Sequence, residues 1–142
     1  MKKLFLPLLL FIIACNFPKD PEDSYSEARE DKLLVGVVDN PPFCEVSGEN
    51  FSGSEVELLR KFAGEKDLEI EFHKGSETEL IKKLEKFELH LVAGGFEKKT
   101  VWKKKAGRTT PYDNKHVFLI PKGENELLKH LESFIFQQKK KS

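Results

Sequence analysis

Apolar positions along the chain fall into two kinds of run. Residues 33–38, Leu-Leu-Val-Gly-Val-Val, are apolar almost without a break, which predicts a strand buried on both faces. Asp39, Asn40, Pro41 and Pro42 then end it, because two residues without a backbone donor cannot continue a ladder. Residues 89–93 and 117–120 are of the same kind, the first running into Gly94 and Gly95, the second closed by Pro121, Lys122 and Gly123. Residues 68–73 alternate instead, Leu-Glu-Ile-Glu-Phe-His, and predict a strand nearer the sheet edge with one wet face. Between these runs the spacing becomes helical: Val56, Leu58, Leu59 and Phe62, then Leu80, Ile81, Leu84 and Phe87, then Leu127, Leu128, Leu131, Phe134 and Ile135. Ser54-Glu55-Val56-Glu57 and Ser76-Glu77-Thr78-Glu79 read as capping boxes that open the first two helices. Residues 45–53 read as a polar loop, 98–105 as a short helix and 109–112 as a turn.

The order β-α-β-α-β predicts an α/β fold: a single three-layer lobe, with a mostly parallel sheet of about four to five strands flanked by helices and the first strand inside it. Ligands of such sheets sit outside the carboxyl ends of the strands. Residues 39–43 and the Gly94-Gly95 pair are therefore the first places to look for function. Adjacent glycines at a strand end either leave amides free and let a ligand approach the backbone or simply turn the chain. Phe43 either walls a pocket there or plugs the bottom of the sheet.

The N-terminus changes the picture of where the chain resides. Lys2 and Lys3 precede an apolar run over residues 4–14 that is too short to cross a bilayer and suits a signal-peptide core. Ile12-Ile13-Ala14-Cys15 resembles the lipobox of bacterial lipoproteins, which implies acylation of Cys15. The expected division is a lipoprotein signal peptide over 1–14, a lipidated tether over 15–31, a folded lobe over 32–136 and a basic tail over 137–142. Residues 16–31 carry six acids and two bases with few apolar residues, too little to fold alone. The expected location is extracytoplasmic, on a bacterial membrane at the periplasmic side.

Charge and chemistry narrow the function further. Across all 142 residues 24 bases balance 24 acids, and the lobe offers no electrostatic footprint for nucleic acid. Its one basic cluster, Lys98, Lys99, Lys103, Lys104, Lys105 and Arg108, is either a solvated helix face or a site for an anionic ligand or lipid head group. His73, His90, His116 and His130 have no metal-ligand spacing, so no metal and no cofactor is expected. Cys44 is expected to be a buried, inert thiol. No nucleophile turn accompanies the serines, and the chain is not expected to be an enzyme.

Four motifs, in the right order on the predicted elements, resemble the bacterial extracellular solute-binding proteins of family 3, the amino-acid-type binding proteins of ABC importers. They are Pro41-Pro42-Phe43, Gly53-Ser54-Glu55-Val56-Glu57, His90-Leu91-Val92-Ala93-Gly94 and Pro111-Tyr112. The resemblance covers residues 32–136 and implies only the first of the family's two lobes, because residues 115–122 run almost directly into a segment that resembles the one returning from the second. It also implies an arginine near Trp102 or Lys103, where a guanidinium would grip a ligand carboxylate; neither residue is one. The ligand half-site implied is Asp39, Phe43, Gly94, Gly95, Phe96, Thr100, Trp102 and Lys103. A small polar solute held weakly on one side is the expected ligand, linked to ABC-type uptake or sensing. The expected partners are a permease, a second-lobe protein or a second copy of the chain. The alternative is a protein interaction module on a scaffold that has lost solute binding.

Overall fold

The computed structural model describes residues 20–142, so the expected signal peptide, Cys15 and the start of the tether lie outside the described residues. A first helix, α1 (Ser24–Glu30), precedes strand β1 (Leu33–Val37). A short antiparallel hairpin, β2 (Glu45–Ser47) and β3 (Asn50–Ser52), leads into α2 (Ser54–Glu65) and β4 (Ile70–Lys74). Then come α3 (Glu77–Glu85), β5 (Leu91–Glu97), a single 3-10 turn at Val101–Lys104, β6 (Gly107–Arg108), β7 (His116–Ile120) and α4 (Asn125–Lys141). The main sheet runs β4-β1-β5-β7-β6. β1 is parallel to β4 and β5, and β7 is antiparallel to both β5 and β6, so β7 alone runs against the other four strands.

The unbroken apolar runs are buried on two faces, with side chains alternating between them. Leu33, Val35, Val37, Leu91, Ala93, Phe118 and Ile120 enter one core with Val56, Leu59 and Phe62 of α2 and Leu127, Leu131, Phe134 and Ile135 of α4. Val92, Phe96, Val117 and Leu119 face the other way, onto Leu80, Ile81 and Leu84 of α3. The chain moves from β1 to β4 over the first face and back past β1 to β5 over the second. The two crossovers therefore share one hand, as parallel units require. β4 is the edge strand that its alternation predicts.

Four expectations need correction. Residues 24–31 are not free tether, because Tyr25 and Ala28 are buried in the first core and Glu124 clasps the helix start. That carboxylate, 1% exposed, accepts the Glu22 and Ser24 amides at 2.9 and 3.0 Å, satisfying donors that a helix N-terminus leaves open. The polar loop at 45–53 is the β2/β3 hairpin. Residues 137–141 are no separate tail but the last turns of α4.

The fourth correction is at α2, where Ser54 does not cap. Gly53 holds the N-cap position at φ +111° with no side-chain cap. Carbonyls of the preceding loop supply acceptors instead: Ser54 N donates to Pro42 O and Glu55 N to Phe43 O, at 3.1 and 2.9 Å. A Cβ at Gly53 would lie 2.4 Å from Phe43 O, so this approach of loop to helix requires glycine. At α3 the capping reading holds for Ser76, whose side chain accepts the Glu79 amide.

Candidate functional site

The loop after β1 closes on itself before reaching α2. Asn40 and Cys44 exchange backbone hydrogen bonds at 2.8 and 3.1 Å, and Asp39 Oδ1 accepts the Val46 amide at 3.0 Å. Its floor is Glu55, which is fully buried. Oε1 of Glu55 accepts the Gly94 and Gly95 amides, both at 3.0 Å, and Oε2 accepts the Tyr112 hydroxyl at 2.6 Å. The Cys44 thiol donates to Oε1 at 3.7 Å. Burial pushes the Glu55 carboxyl above its ordinary pKa, against the pull of its hydrogen bonds from Tyr112, Gly95, Gly94 and Cys44. Burial and then the Glu55 charge push the Cys44 thiol and the Tyr112 phenol far up as well. The thiol is buried and protonated, as expected of an inert cysteine.

This cluster overturns the reading of Gly94 and Gly95 as free amides. They do not follow the strand; they lie inside β5, where its pairing with β7 shifts register between Val92 and Phe96. Both amides are taken by Glu55, and the Gly94 carbonyl accepts Asn40 Nδ2 at 2.8 Å. Gly95 sits at φ +68°, and a Cβ there would come within 2.6 Å of the Phe43 ring. The glycines serve backbone geometry and close packing rather than anion capture.

A crevice of about 330 Å³ does open at the carboxyl ends of β1 and β5, lined by Asn40, Glu77, Gly94, Gly95, Phe96, Glu97, Lys99, Thr100 and Val101. Asn40 lies in the loop 39–43 where the sequence pointed and Lys99 in its basic cluster; Glu97 and Val101 fall in the stretch from Gly94 to Trp102 without having been named, and Glu77 alone lies outside these stretches. Glu77 was legible only as part of a capping box, because its place at the rim depends on how α3 packs. Trp102 stands beside the crevice, its Nε1 donating to Glu77 Oε1 at 2.7 Å, and Thr100 Oγ1 accepts the Trp102 amide at 3.3 Å. Phe43 is half-buried, packed on the first core and tilted against the His116 ring at 4.4 Å. Phe96 lines the crevice but belongs mainly to the second core, with 6% exposure, so it offers little aromatic surface. Lys103 lines a different cavity and is not brought together with Phe43 and the glycines.

Comparison with known proteins agrees with this architecture. The family described as bacterial extracellular solute-binding proteins, family 3, matches residues 33–142. Among solved structures, the arginine-bound form of domain 1 from TmArgBP superposes with a TM-score of 0.70 at 22% identity, covering 82% of this chain and 98% of that one. An ancestral cationic amino acid solute-binding protein gives 0.74 at 15% identity, covering 83% and 94%. An ancestral cyclohexadienyl dehydratase gives 0.71 at 12%, covering 82% and 89%. At these identities the likeness establishes the fold, a single lobe of the type II periplasmic binding protein class. No curated protein matches the chain.

Proposed function

The chain belongs to the bacterial extracellular solute-binding proteins of family 3, and from that premise we propose that it holds a small polar solute, without catalysis, in the crevice over the carboxyl ends of β1 and β5. The observation that carries this reading is the chemistry of the crevice wall. The Lys99 ammonium, the Asn40 amide, the Thr100 hydroxyl and the Glu77 and Glu97 carboxylates surround a volume suited to an amino-acid-sized molecule bearing both signs of charge. A lone domain 1 of TmArgBP in an arginine-bound form supports binding by one lobe. Glu77 is engaged by Trp102 and Glu97 by Lys115 at 3.1 Å, which favours holding a ligand over transferring protons. Without an arginine fork or free glycine amides the grip on a carboxylate is loose, and an open crevice leaves one side of the solute wet. Affinity in the micromolar to millimolar range follows, roughly 4–8 kcal/mol.

The same reading places the chain outside the cytoplasm, held to a membrane by lipid on Cys15 and serving ABC-type uptake or sensing beside a permease, a second-lobe protein or a second copy. Among the described residues no helix is long and apolar enough to cross a membrane. Trp102 is the only tryptophan in the chain and reports directly on the crevice rim. Titration with amino acids, sugars and small acids, followed by tryptophan fluorescence, should give saturable changes that weaken in Asn40→Ala. A silent panel at millimolar concentration, from a protein that melts cooperatively, would sink solute binding and favour an interaction module on the same scaffold.

A further inference from the structure

β6 is the open edge of the sheet, and along it runs a cavity of about 510 Å³ whose charged lining is Lys98, Lys103, Arg108, Lys122 and Glu132. Four cations thus face one carboxylate. Among the described residues none of the four forms an ion pair; Arg108 Nη1 instead donates to the Lys98 carbonyl. Residues 98–108 hold six bases and no acid, so positive charge predominates along this edge. Unpaired cations lining a concave surface attract a counter-charge from outside the molecule.

A second observation says where that counter-charge lies. The Gly123 position lines the same cavity and packs against Pro21, whose Cδ and Cγ lie 3.3 and 3.4 Å from where its Cβ would stand. Asp20 Oδ1 accepts the Glu126 amide at 2.8 Å. The chain therefore leaves the folded body at the rim of the basic cavity. Cys15 is five residues earlier in the sequence, a reach of at most about 18 Å even when fully extended. Of the acids near this exit, Asp20 and Glu124 are turned inward, to an amide of α4 and to the amides before α1, while Glu22 and Asp23 are exposed and are outnumbered by the four cations of the cavity.

We propose that the β6 edge docks on the phosphate head groups of the anionic membrane to which Cys15 anchors the chain. The inference rests on the anchoring reading and adds an orientation to it. The anchor fixes the distance, and the basic cavity selects which face turns to the lipid. Juxtamembrane bases act within about a Debye length of such a surface, roughly 8 Å at physiological salt, an approach that a leash this short permits. The solute crevice, at the carboxyl ends of the strands, is then left at the side of the lobe.

The test uses the full mature lipidated protein in vesicles of phosphatidylcholine alone or of an equal mixture with phosphatidylglycerol. Amine-reactive footprinting should show Lys98, Lys103 and Lys122 labelled several-fold more slowly in the mixed vesicles. Lys61 on α2 and Lys82 on α3, which do not line the cavity, serve as references and should not change. High salt should restore labelling. In a Lys103→Glu, Arg108→Glu variant the protection of Lys98 and Lys122 should disappear while the protein still floats with the vesicles. Equal labelling in both compositions, with the protein afloat in each, overturns the docking and leaves anchoring standing. Protection by inorganic phosphate in phosphatidylcholine vesicles assigns the cavity to free anions and overturns the lipid assignment. Failure to float with either vesicle overturns anchoring and docking together.

Discussion

Two polar regions of this lobe behave in opposite ways. Around Glu55 every donor is spent internally: two glycine amides, a tyrosine hydroxyl and a thiol converge on one buried carboxylate. Along β6 four cations share a cavity with one carboxylate, and among the described residues none of the four is in an ion pair. The first cluster joins the loop after β1, the middle of β5 and the segment before β7, so its work is to hold the crevice floor in shape. The second contributes little to holding the fold, since exposed charges are worth little to stability, and its charge is open to something outside. A saturated cluster is a fastener, whereas an unsatisfied one is a surface for recognition.

The contrast can be broken most sharply at Glu55. Glu55→Ala leaves the Gly94 and Gly95 amides, the Tyr112 hydroxyl and the Cys44 thiol without their acceptor, and buried donors that lose a partner each cost about 1–3 kcal/mol. A total loss of about 3 kcal/mol or more is expected in urea unfolding, together with loss of solute binding. A loss under about 1 kcal/mol would show that the cluster is not a fastener.

A smaller effect is expected at His90, which is 2% exposed. Its Nδ1 accepts the Leu34 amide at 2.9 Å, so its proton sits on Nε2, 3.4 Å from Glu27 Oε1 on α1. Burial holds its pKa below the ordinary 6.5, against the raising influence of Glu27, Glu124 and Asp31. The unfolded chain then binds this proton more readily than the folded one. Stability from His90 is full above about pH 6.5 and is lost as pH falls through the depressed folded value. The stability of wild type relative to His90→Gln should decline on acidification through that window, measured by denaturation at a series of pH values; a pH-independent difference would count against it.

The smallest effect belongs to the β6 edge. Lys103→Ala should change stability by no more than about 0.5 kcal/mol, in the same urea assay. A larger loss would make the basic edge part of the fold rather than a surface.

Much of the architecture was legible in sequence because the two kinds of apolar run encode position in the sheet. Residues 33–37 are buried on both faces and lie inside it, while Ile70 and Phe72 alternate at its edge. Less of the crevice was legible. Gly94 and Gly95 read as free amides because their acceptor lies about 40 residues away, on a helix. Glu55 read as the interior of a capping motif because nothing local shows that the loop carbonyls of Pro42 and Phe43 already cap α2. Phe96 read as an open pocket wall because the sequence does not show how far the packing of the second core covers its ring. Residues 24–30 read as tether because only Tyr25 and Ala28 recommend burial, and the Glu124 clasp that fixes the helix lies 100 residues on.

That clasp also bears on the order in which the protein takes shape. Glu124 and Asp20 tie the first described residues to the start of the last helix across separations of 100 to 106 residues, contacts whose loop-closure entropy must be met before they return anything. The first described segment therefore waits for nearly the last one. Until then α1 lacks its acceptor and the part of its core that α4 supplies, and a nascent or half-exported chain keeps a longer, looser leader than the finished protein.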